Sequence, residues 1–219
     1  MSPFAVGAET SEVRCGMCRR AEPSFKRALA YGSYEGGLRE LIHLLKYANV
    51  RPAAKVLGRM LNEVICELES GFSEKEILLI PVPLHKTKQR QREFNQAEII
   101  ASAALKMRKK TRIQLRTDLL ERRRPTQSQI GLSSHQRREN LRGAFAVASP
   151  QEIKDREILL VDDVFTTGTT VSECARVLQR AGAAKVWVAT VARTLKFEVQ
   201  SVKLGFVDEH LSPTMAAAG

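Results

Sequence analysis

The sequence predicts an α/β protein built on a parallel β-sheet that is flanked by helices. Two observations lead to this prediction. Short, continuously apolar runs of strand length alternate along the chain with longer segments whose apolar residues recur at helical spacing. In addition, residues 157–193 form the pattern of a strand, a helix and a second buried strand in immediate succession. Two strands joined through a helix in this way run parallel in the sheet.

The chain is strongly basic and poor in aromatic residues. Its 35 Lys and Arg residues outnumber its 24 Asp and Glu residues, the formal net charge is +11, and aromatic residues make up 5% of the 219 positions. This balance favours phosphate-rich ligands or nucleic acid as partners. No apolar run approaches the roughly 18 residues of a membrane helix, and residues 1–10 lack a secretory pattern. We therefore expect no membrane insertion and a cytoplasmic protein whose cysteines are thiols or metal ligands.

The elements of the first half follow from their apolar spacing. Residues 1–35 predict a small N-terminal appendage that contains Cys15 and Cys18, and residues 36–219 predict the principal domain. A first helix follows Gly37, and a second begins at Pro52 and ends at Gly71. The pattern then predicts a buried strand over 77–82 and a helix over 94–107.

The second half contains the clearest unit of the chain. Strands are expected near 118–123 and 143–147, with a long polar connection over 125–140 between them. A buried strand over 158–161 then ends in two aspartates, and a Thr/Gly loop leads into a helix. Thr170 and Glu173 have capping-box spacing at the helix start. Gly182 is the expected stop, and a buried strand over 186–191 follows.

The loop after the predicted strand has the chemistry of a phosphosugar site. Ligands of open parallel sheets bind at the carboxyl ends of the strands, which is where Asp162, Asp163 and the Thr/Gly loop are expected. Backbone amides at a helix start and threonine hydroxyls suit a phosphate, and Gly168 permits a close approach. The adjacent carboxylates suit vicinal sugar hydroxyls or a hydrated divalent cation. The alternative is an ordinary Asp-rich cap on a buried strand.

Other phosphate-binding or hydrolytic motifs are absent from the sequence. No lysine follows Gly168 as a P-loop requires, and no Gly-x-Gly-x-x-Gly follows a predicted strand. The nucleophile elbow Gly-x-Ser-x-Gly is also absent.

Residues 158–170 resemble the phosphoribosyl pyrophosphate (PRPP) motif of type I phosphoribosyltransferases. The wider chain, from about Cys15 to Thr194, resembles the competence protein F-like (ComF/GntX) branch of that family. The resemblance outside the PRPP motif depends on Leu45-Lys46-Tyr47, Pro81-Val82-Pro83-Leu84-His85, Arg92-x-Phe94-Asn95-Gln96-Ala97, Thr126-x-x-Gln129 and Arg137-x-x-Asn140-x-x-Gly143-Ala144-Phe145.

The resemblance implies the type I phosphoribosyltransferase (Rossmann-like) fold, with a hood and a mobile loop over the site, the loop expected over 124–140. It implies transfer of ribosyl 5-phosphate to a nitrogen nucleophile with release of pyrophosphate, and Mg²⁺ as the metal that accompanies PRPP. It implies that Asp162 and Asp163 bind the ribose, and that Thr166, Thr167, Gly168, Thr169 and Thr170 bind the 5′-phosphate. It also implies a pyrophosphate loop at Pro83, Leu84 and His85. The pyrophosphate would be neutralised by Arg92, Lys46 and Arg137.

The same resemblance also implies an alternative that is not catalytic. The protein would then be an accessory of DNA uptake, acting as a PRPP sensor or a scaffold, with single-stranded DNA or DNA-uptake proteins as partners. A homodimer is a further expectation from the family. The acceptor cannot be inferred from any contiguous segment.

The sequence departs from the family pattern at two places. The family commonly has Gly after the arginine of Arg-Gly-Phe-Asn, whereas Glu93 stands here. The family also commonly begins with Cys pairs of a zinc ribbon, but only Cys15 and Cys18 are present in this region, because Cys66 and Cys174 lie within predicted helices. Since structural zinc needs four ligands, the appendage is either an incomplete or a decayed zinc ribbon.

Several candidates have an ordinary structural explanation as well. Lys46 at a helix end is favoured by the helix dipole alone, and His43 is expected to be a packed or half-exposed helix residue. His85 could lie on the loop surface. The few aromatic residues fall mostly within apolar patterns, which argues against a stacking platform for bases but leaves contacts to a nucleic-acid backbone open.

Overall fold

The central feature of the protein is a six-stranded, mostly parallel sheet. A computed structural model describes residues 4–7, 23–47, 50–73, 76–109, 111–126 and 134–194. The sheet consists of β1 (Phe4–Gly7), β2 (Arg27–Ser33), β3 (Ile77–Pro81), β4 (Ile113–Leu115), β7 (Glu157–Phe165) and β8 (Lys185–Arg193) in the order β1-β2-β8-β7-β3-β4. All neighbours pair in parallel except β1, which is antiparallel to β2. The predicted α/β class is confirmed.

Helices and a small second sheet surround this sheet. The helices are α1 (Gly36–Tyr47), α2 (Arg51–Leu68), α3 (Lys86–Arg92), α4 (Gln96–Lys106), α5 (Ser134–Leu141), α6 (Pro150–Ile153) and α7 (Thr169–Arg180). β5 (Leu120–Arg122) and β6 (Phe145–Val147) pair antiparallel to each other. No helix in the described part of the chain is long and apolar enough to cross a membrane.

Strand alternation separates the core into two layers, one on each face of the sheet. On β7, Leu159 and Val161 pack toward α1, α2 and α4, whereas Ile158 and Leu160 pack toward α7. All four side chains are fully buried, which explains why this strand is continuously apolar over residues 158–161. Complete burial of such a side chain stabilises the fold by about 1.5–3 kcal/mol. The two layers hold β7 rigidly at the centre of the sheet.

Part of the segment that we expected to be an appendage belongs to the central sheet. β2, within residues 1–35, pairs in parallel with β8 and buries Ala28, Leu29 and Ala30. The sequence signal is weak because small residues occupy most of this strand, and Leu29 is its one large aliphatic residue. Cys15 and Cys18 lie outside the described residues.

The middle of the chain differs from the prediction in three further respects. The strand expected near 118–123 is β5, which pairs with β6 rather than joining the main sheet. The polar connection over 125–140 includes α5, a helix with no apolar stripe to reveal it. β4 and α3 are short elements that the periodicity did not indicate. The helices α1, α2, α4 and α7 and the strands β3, β7 and β8 are confirmed.

Candidate functional site

Two aspartates at the carboxyl end of β7 form the centre of the candidate site. β7 continues past the predicted end at Val161 to Phe165, so both aspartates lie within the strand. Alternation directs Asp163 toward the α1 face and Asp162 toward the α7 face. Each carboxylate accepts a hydrogen bond from the next backbone N–H: Asp163 N donates to Asp162 Oδ1, and Val164 N to Asp163 Oδ1, both at 2.9 Å. The strand therefore fixes the orientation of both groups.

Lys46 on the last turn of α1 forms an ion pair with Asp163. The two side chains are 15% and 7% exposed, so the pair is largely shielded from water. Burial acts to lower the pKa of Lys46, but the neighbouring carboxylate of Asp163 outweighs it and the pKa is raised. Lys46 is therefore a fixed positive charge beside the aspartate pair. The helix dipole alone, which would favour any lysine at this helix end, does not account for the ion pair with Asp163.

The carboxyl group of Asp162 has a raised pKa. Burial is the main cause, and the negative charge of Asp163 adds to it, whereas the positive charge of Lys46 opposes it. A cation or hydrogen-bond donor brought by a ligand would favour the ionised form. The aspartate pair is thus poised to receive donors such as sugar hydroxyls or a hydrated metal ion.

Three further basic side chains lie near Lys46, two on α3 and one on β5. Burial lowers the pKa of Lys88 on α3, and the positive charges of Arg122, Arg92 and Lys46 lower it further. Burial also lowers the pKa of Arg122 on β5, opposed by the negative charge of Asp162. We call these four side chains, Lys46, Lys88, Arg92 and Arg122, the cation cluster. Within the described residues, Lys46 is its one member in a carboxylate ion pair.

Arg122 is held in place by neighbours that do not neutralise it. Its guanidinium lies 5.3 Å from the centroid of the Phe145 ring on the paired strand β6, and its Nη2 donates a hydrogen bond to Thr126 Oγ1. Its Nε atom is buried without a hydrogen-bond partner in the described structure. A buried donor without a partner costs free energy, and an anionic ligand would supply the missing acceptor.

The Thr/Gly loop connects β7 to α7. Gly168 is the N-cap of α7 with φ of +71°, and a Cβ at this position would lie 2.6 Å from the Phe165 ring. Both facts require glycine. The hydroxyls of Thr167 and Thr169 are hydrogen-bonded to each other at 2.7 Å, and Thr194 Oγ1 donates to the carbonyl of Thr166. Thr170 lies in the first turn of α7.

The capping box predicted at the start of α7 is wrong. The N-cap is Gly168, which has no side chain to accept a hydrogen bond. Glu173 instead accepts a hydrogen bond from the Gly143 backbone N–H at 3.0 Å and pairs with Arg176. Because the N-cap residue Gly168 has no side chain to bond the first turn of α7, the N–H groups of that turn are suited to an anion.

The expected pyrophosphate loop follows β3, and Asn95 fixes its start. Asn95 Nδ2 donates to the Val82 carbonyl at 3.0 Å, and Asn95 Oδ1 accepts from Ala97 N at 3.1 Å as the N-cap of α4. Pro83 and Leu84 then lie half-buried. His85 is the N-cap of α3, where its Nδ1 accepts a hydrogen bond from Thr87 N at 3.3 Å. This contact gives His85 a structural role in the loop.

Glu93 takes a backbone conformation that glycine favours. Its φ is +65°, in the left-handed region, at the C-terminal end of α3. The turn is therefore the one that glycine favours, even though the residue is not glycine. Arg92, just before it, lies 5.2 Å from the centroid of the Tyr47 ring and donates to Gln96 Oε1 at 3.3 Å.

The remaining candidates are less closely tied to this centre. Arg137 lies half-buried on α5, a helix that packs against α7, and its expected role stays a prediction. Cys66 is exposed and Cys174 is buried, both as free thiols. No group of three or more His, Cys, Asp or Glu side chains that could hold a metal occurs in the described ranges.

Comparisons with known proteins agree with this geometry. Residues 100–204 match the family model described as Phosphoribosyl transferase domain. The DNA utilization protein YhgH of Escherichia coli O157:H7 is 34% identical over 189 residues, which are 86% of this chain and 81% of that protein. The chain belongs to the competence protein F family. Competence protein F of Haemophilus influenzae is 33% identical over 181 residues, 82% of this chain and 78% of that one.

Among solved structures, a hypoxanthine phosphoribosyltransferase from Staphylococcus aureus is similar to this chain. The match covers 64% of each chain, with 12% identity and a TM-score of 0.41. The family membership and the domain match, together with the parallel sheet flanked by helices, identify the type I phosphoribosyltransferase fold.

Two members of the cation cluster, Lys88 and Arg122, were not predicted from the sequence. Lys88 and Arg92 are four residues apart, so a helix over 86–92 would have placed them on one face. The helix itself was not indicated, because its residues are all polar. Arg122 had no comparable signal, since it reaches the site only through the pairing of β5 with β6.

Proposed function

We propose that the protein binds PRPP together with Mg²⁺ and transfers its ribosyl 5-phosphate to a nitrogen nucleophile, releasing pyrophosphate. The observation that supports this most is the convergence of the cation cluster on the aspartate pair, beside a helix whose N-cap is glycine. A sugar carrying phosphate at one end and pyrophosphate at the other has a charge distribution complementary to this arrangement.

Each part of the proposed ligand has a matching group. Asp162 and Asp163 accept hydrogen bonds from the ribose hydroxyls. The amides and hydroxyls of residues 166–170 bind the 5′-phosphate, and the cation cluster neutralises the pyrophosphate. Mg²⁺ when bound supplies positive charge to the pyrophosphate oxygens, and the two carboxylates fit it as outer ligands through water.

The proposed reaction exchanges one bond at C1 of the ribose for another. The C1–O bond to pyrophosphate breaks and its electron pair leaves with the pyrophosphate. A bond forms from the acceptor nitrogen to C1, and the proton of that nitrogen passes to water. Fixed cations stabilise the charge that develops on the leaving group, which is where electrostatic catalysis is most effective.

Calorimetric titration with PRPP, with and without Mg²⁺, tests the binding step. We expect metal-dependent binding by the wild-type protein that is lost in Asp162→Asn and Asp163→Asn. Asp155→Asn is a matched control, because Asp155 is an exposed aspartate in the loop that precedes β7. Equal affinity of all four proteins would refute the assignment of the aspartate pair.

Pyrophosphate release tests the transfer step. An enzyme releases pyrophosphate from PRPP only when an acceptor is present. PRPP binding without release for any acceptor supplied supports a sensor that retains the ligand site without catalysis.

A second candidate function is an accessory role in DNA handling. The names of two relatives, DNA utilization protein and Competence protein F, favour it, and the net charge of +11 agrees with binding to a phosphate backbone. Single-stranded DNA or DNA-uptake proteins would be the partners. Affinity for a labelled single-stranded oligonucleotide should then fall steeply with salt and survive Asp162→Asn. No binding even at low salt would exclude direct contact with DNA.

A further inference from the structure

Both oxygens of the Asp163 carboxylate have partners within the chain. Oδ1 accepts a hydrogen bond from Val164 N at 2.9 Å, and Oδ2 forms the ion pair with the Lys46 ammonium. Oδ2 is buried, and Lys46 is its one partner among the residues that the structure describes. Since the Asp163 side chain is only 7% exposed, a sugar hydroxyl reaches Oδ2 only by displacing the ammonium.

The ion pair between Lys46 and Asp163 resists displacement by a neutral group. The two side chains are largely shielded from water, and charges that water screens little attract each other strongly. A ribose hydroxyl brings a dipole but no positive charge, so it would leave the carboxylate without a compensating charge. Because removing one partner of a buried ion pair is strongly unfavourable, a sugar by itself competes poorly for Asp163.

An anion beside the cation cluster would offer Lys46 a second partner. Lys88 is close enough to Lys46 and Arg92 for their positive charges to lower its pKa. Tyr47, the next residue after Lys46, contacts the Arg92 guanidinium with its ring. The flexible stem of a lysine lets its ammonium move while the backbone of α1 stays in place. A polyanion bound among these cations would therefore draw the ammonium of Lys46 away from Asp163.

We propose that Lys46 is a specificity-determining residue with two positions. It pairs with Asp163 until pyrophosphate occupies the cation cluster, and it then pairs with the pyrophosphate and leaves Asp163 to the ribose. The site thereby rejects ribose 5-phosphate, which has the sugar and the 5′-phosphate of PRPP but no pyrophosphate to draw Lys46 away. This inference rests on the proposed function for the identity of the ligand, but the two halves of PRPP can be tested separately.

The two positions of Lys46 make the binding of the two halves cooperative. Pyrophosphate frees Asp163 for the sugar, and by linkage the sugar strengthens pyrophosphate binding by the same factor. Two anions without such a switch would repel each other. If the ion pair is closed in about 90% of the molecules, it weakens the apparent affinity for ribose 5-phosphate about tenfold.

Calorimetric titration with ribose 5-phosphate and with pyrophosphate, at constant Mg²⁺ concentration, tests the proposal. Lys46→Met should bind ribose 5-phosphate about tenfold more tightly than wild type, and should bind pyrophosphate more weakly because one cation is lost. Lys88→Met is the matched control, since it removes a cation of the cluster that is not paired with Asp163. It should weaken pyrophosphate binding and leave the affinity for ribose 5-phosphate unchanged.

The wild-type protein supplies a second measurement that does not depend on the folding of a variant. Saturating pyrophosphate should tighten the binding of ribose 5-phosphate to wild type about tenfold, and this gain should be lost in Lys46→Met at saturating pyrophosphate. Coupling through a bridging Mg²⁺ would persist in Lys46→Met, so the loss identifies the lysine. Absence of the gain in wild type overturns the proposal even if Lys46→Met does not fold.

The outcomes separate this inference from the proposed function. Tighter binding of ribose 5-phosphate by Lys46→Met, without any acceptor-dependent release of pyrophosphate from PRPP, would refute the transfer reaction and leave the switch standing. PRPP binding that depends on Asp162 and Asp163, with equal or weaker binding of ribose 5-phosphate by Lys46→Met, overturns the switch and leaves the PRPP site standing. Failure of ribose 5-phosphate to bind either protein also overturns the switch.

Discussion

At the scale of single residues, the raised pKa of Asp162 makes stability depend on pH. Its folded-state pKa lies above the unfolded value of about 3.9. The stability that protonated Asp162 contributes is therefore present below pH 3.9 and is lost as pH rises through the folded-state pKa. We expect the ligand-free Asp162→Asn protein to become more stable relative to wild type as the pH increases.

Thermal unfolding at pH 5, 6.5 and 8 measures this effect. The difference in Tm, variant minus wild type, should increase with pH, by about 2–4 °C for each kcal/mol. Asp155→Asn serves as the control and should show a difference that changes little. A Tm difference for Asp162→Asn that is constant across the three pH values would contradict the prediction.

The left-handed backbone conformation of Glu93 destabilises the folded protein in a way that glycine at this position would not. A non-glycine residue in the left-handed region costs about 1–2 kcal/mol, part of which is offset because glycine loses more entropy on folding. We expect Glu93→Gly to raise the free energy of unfolding by about 0.5–1 kcal/mol, measured by urea denaturation. Glu93→Ala removes the same charge but keeps the strained φ, so it should leave stability nearly unchanged. Equal stabilisation by both substitutions would assign the effect to charge instead.

At the scale of elements, the turn from β7 to α7 needs glycine at position 168 for two reasons, its positive φ and the closeness of the Phe165 ring. Gly168→Ala would place a Cβ 2.6 Å from the Phe165 ring. Gly143→Ala is a matched control, because Gly143 has a similar φ of +69° but nothing within 4 Å of the added Cβ. Denaturant titration should show a loss of about 1–2 kcal/mol for Gly143→Ala and a larger loss for Gly168→Ala. Equal losses would mean that Phe165 moves aside freely.

Asn95 connects the start of α4 with the end of β3, and its two functions can be separated. Asn95→Ala removes both the cap and the hydrogen bond to Val82, so we expect a loss of about 1–3 kcal/mol in the free energy of unfolding. Asn95→Asp keeps the acceptor for Ala97 N but loses the donor to the Val82 carbonyl. If the hydrogen bond to Val82 positions the following loop, PRPP affinity falls in both variants. A normal affinity for Asn95→Asp would show that the cap alone matters.

The elements that could be predicted are those whose signal is contained in contiguous sequence. β7 is apolar at each of residues 158–161, and α7 has a clear inward stripe, so both could be recognised locally. β2 and β4 could not, because the first is rich in small residues and the second has only three residues. The polar helices α3 and α5 lack the apolar periodicity on which recognition depends.

At the scale of the whole molecule, one part of the candidate site is contiguous in sequence and could be predicted, whereas the other part is assembled by the fold. The aspartate pair and the Thr/Gly loop are contiguous and could be predicted with the phosphosugar chemistry they support. The cation cluster is assembled from α1, α3 and β5. The resemblance indicated Lys46 and Arg92, whereas Lys88 and Arg122 join them only through the fold, since β5 is held in place by its pairing with β6. Charge composition predicted an anionic partner but not where it would bind.

The place of β2 in the sheet determines where the folded domain begins. A chain that starts at residue 36 lacks β2 and the buried side chains of Phe25 and Leu29, each worth about 1.5–3 kcal/mol. It also leaves the hydrogen-bonding edge of β8 uncovered. Because domains are stable by only about 5–15 kcal/mol, we expect residues 36–219 to lack a cooperative thermal transition and to aggregate.

A chain that starts at residue 23 is the matched control. It keeps β2 and loses β1, which lies at the outer edge of the sheet and pairs only with β2 in the described structure. We expect residues 23–219 to unfold cooperatively in circular dichroism and to elute from size exclusion without aggregates. A cooperative transition for both shortened chains, at similar Tm, would show that β2 contributes little to the stability of the sheet. Loss of folding in both would instead assign an essential role to residues 1–22.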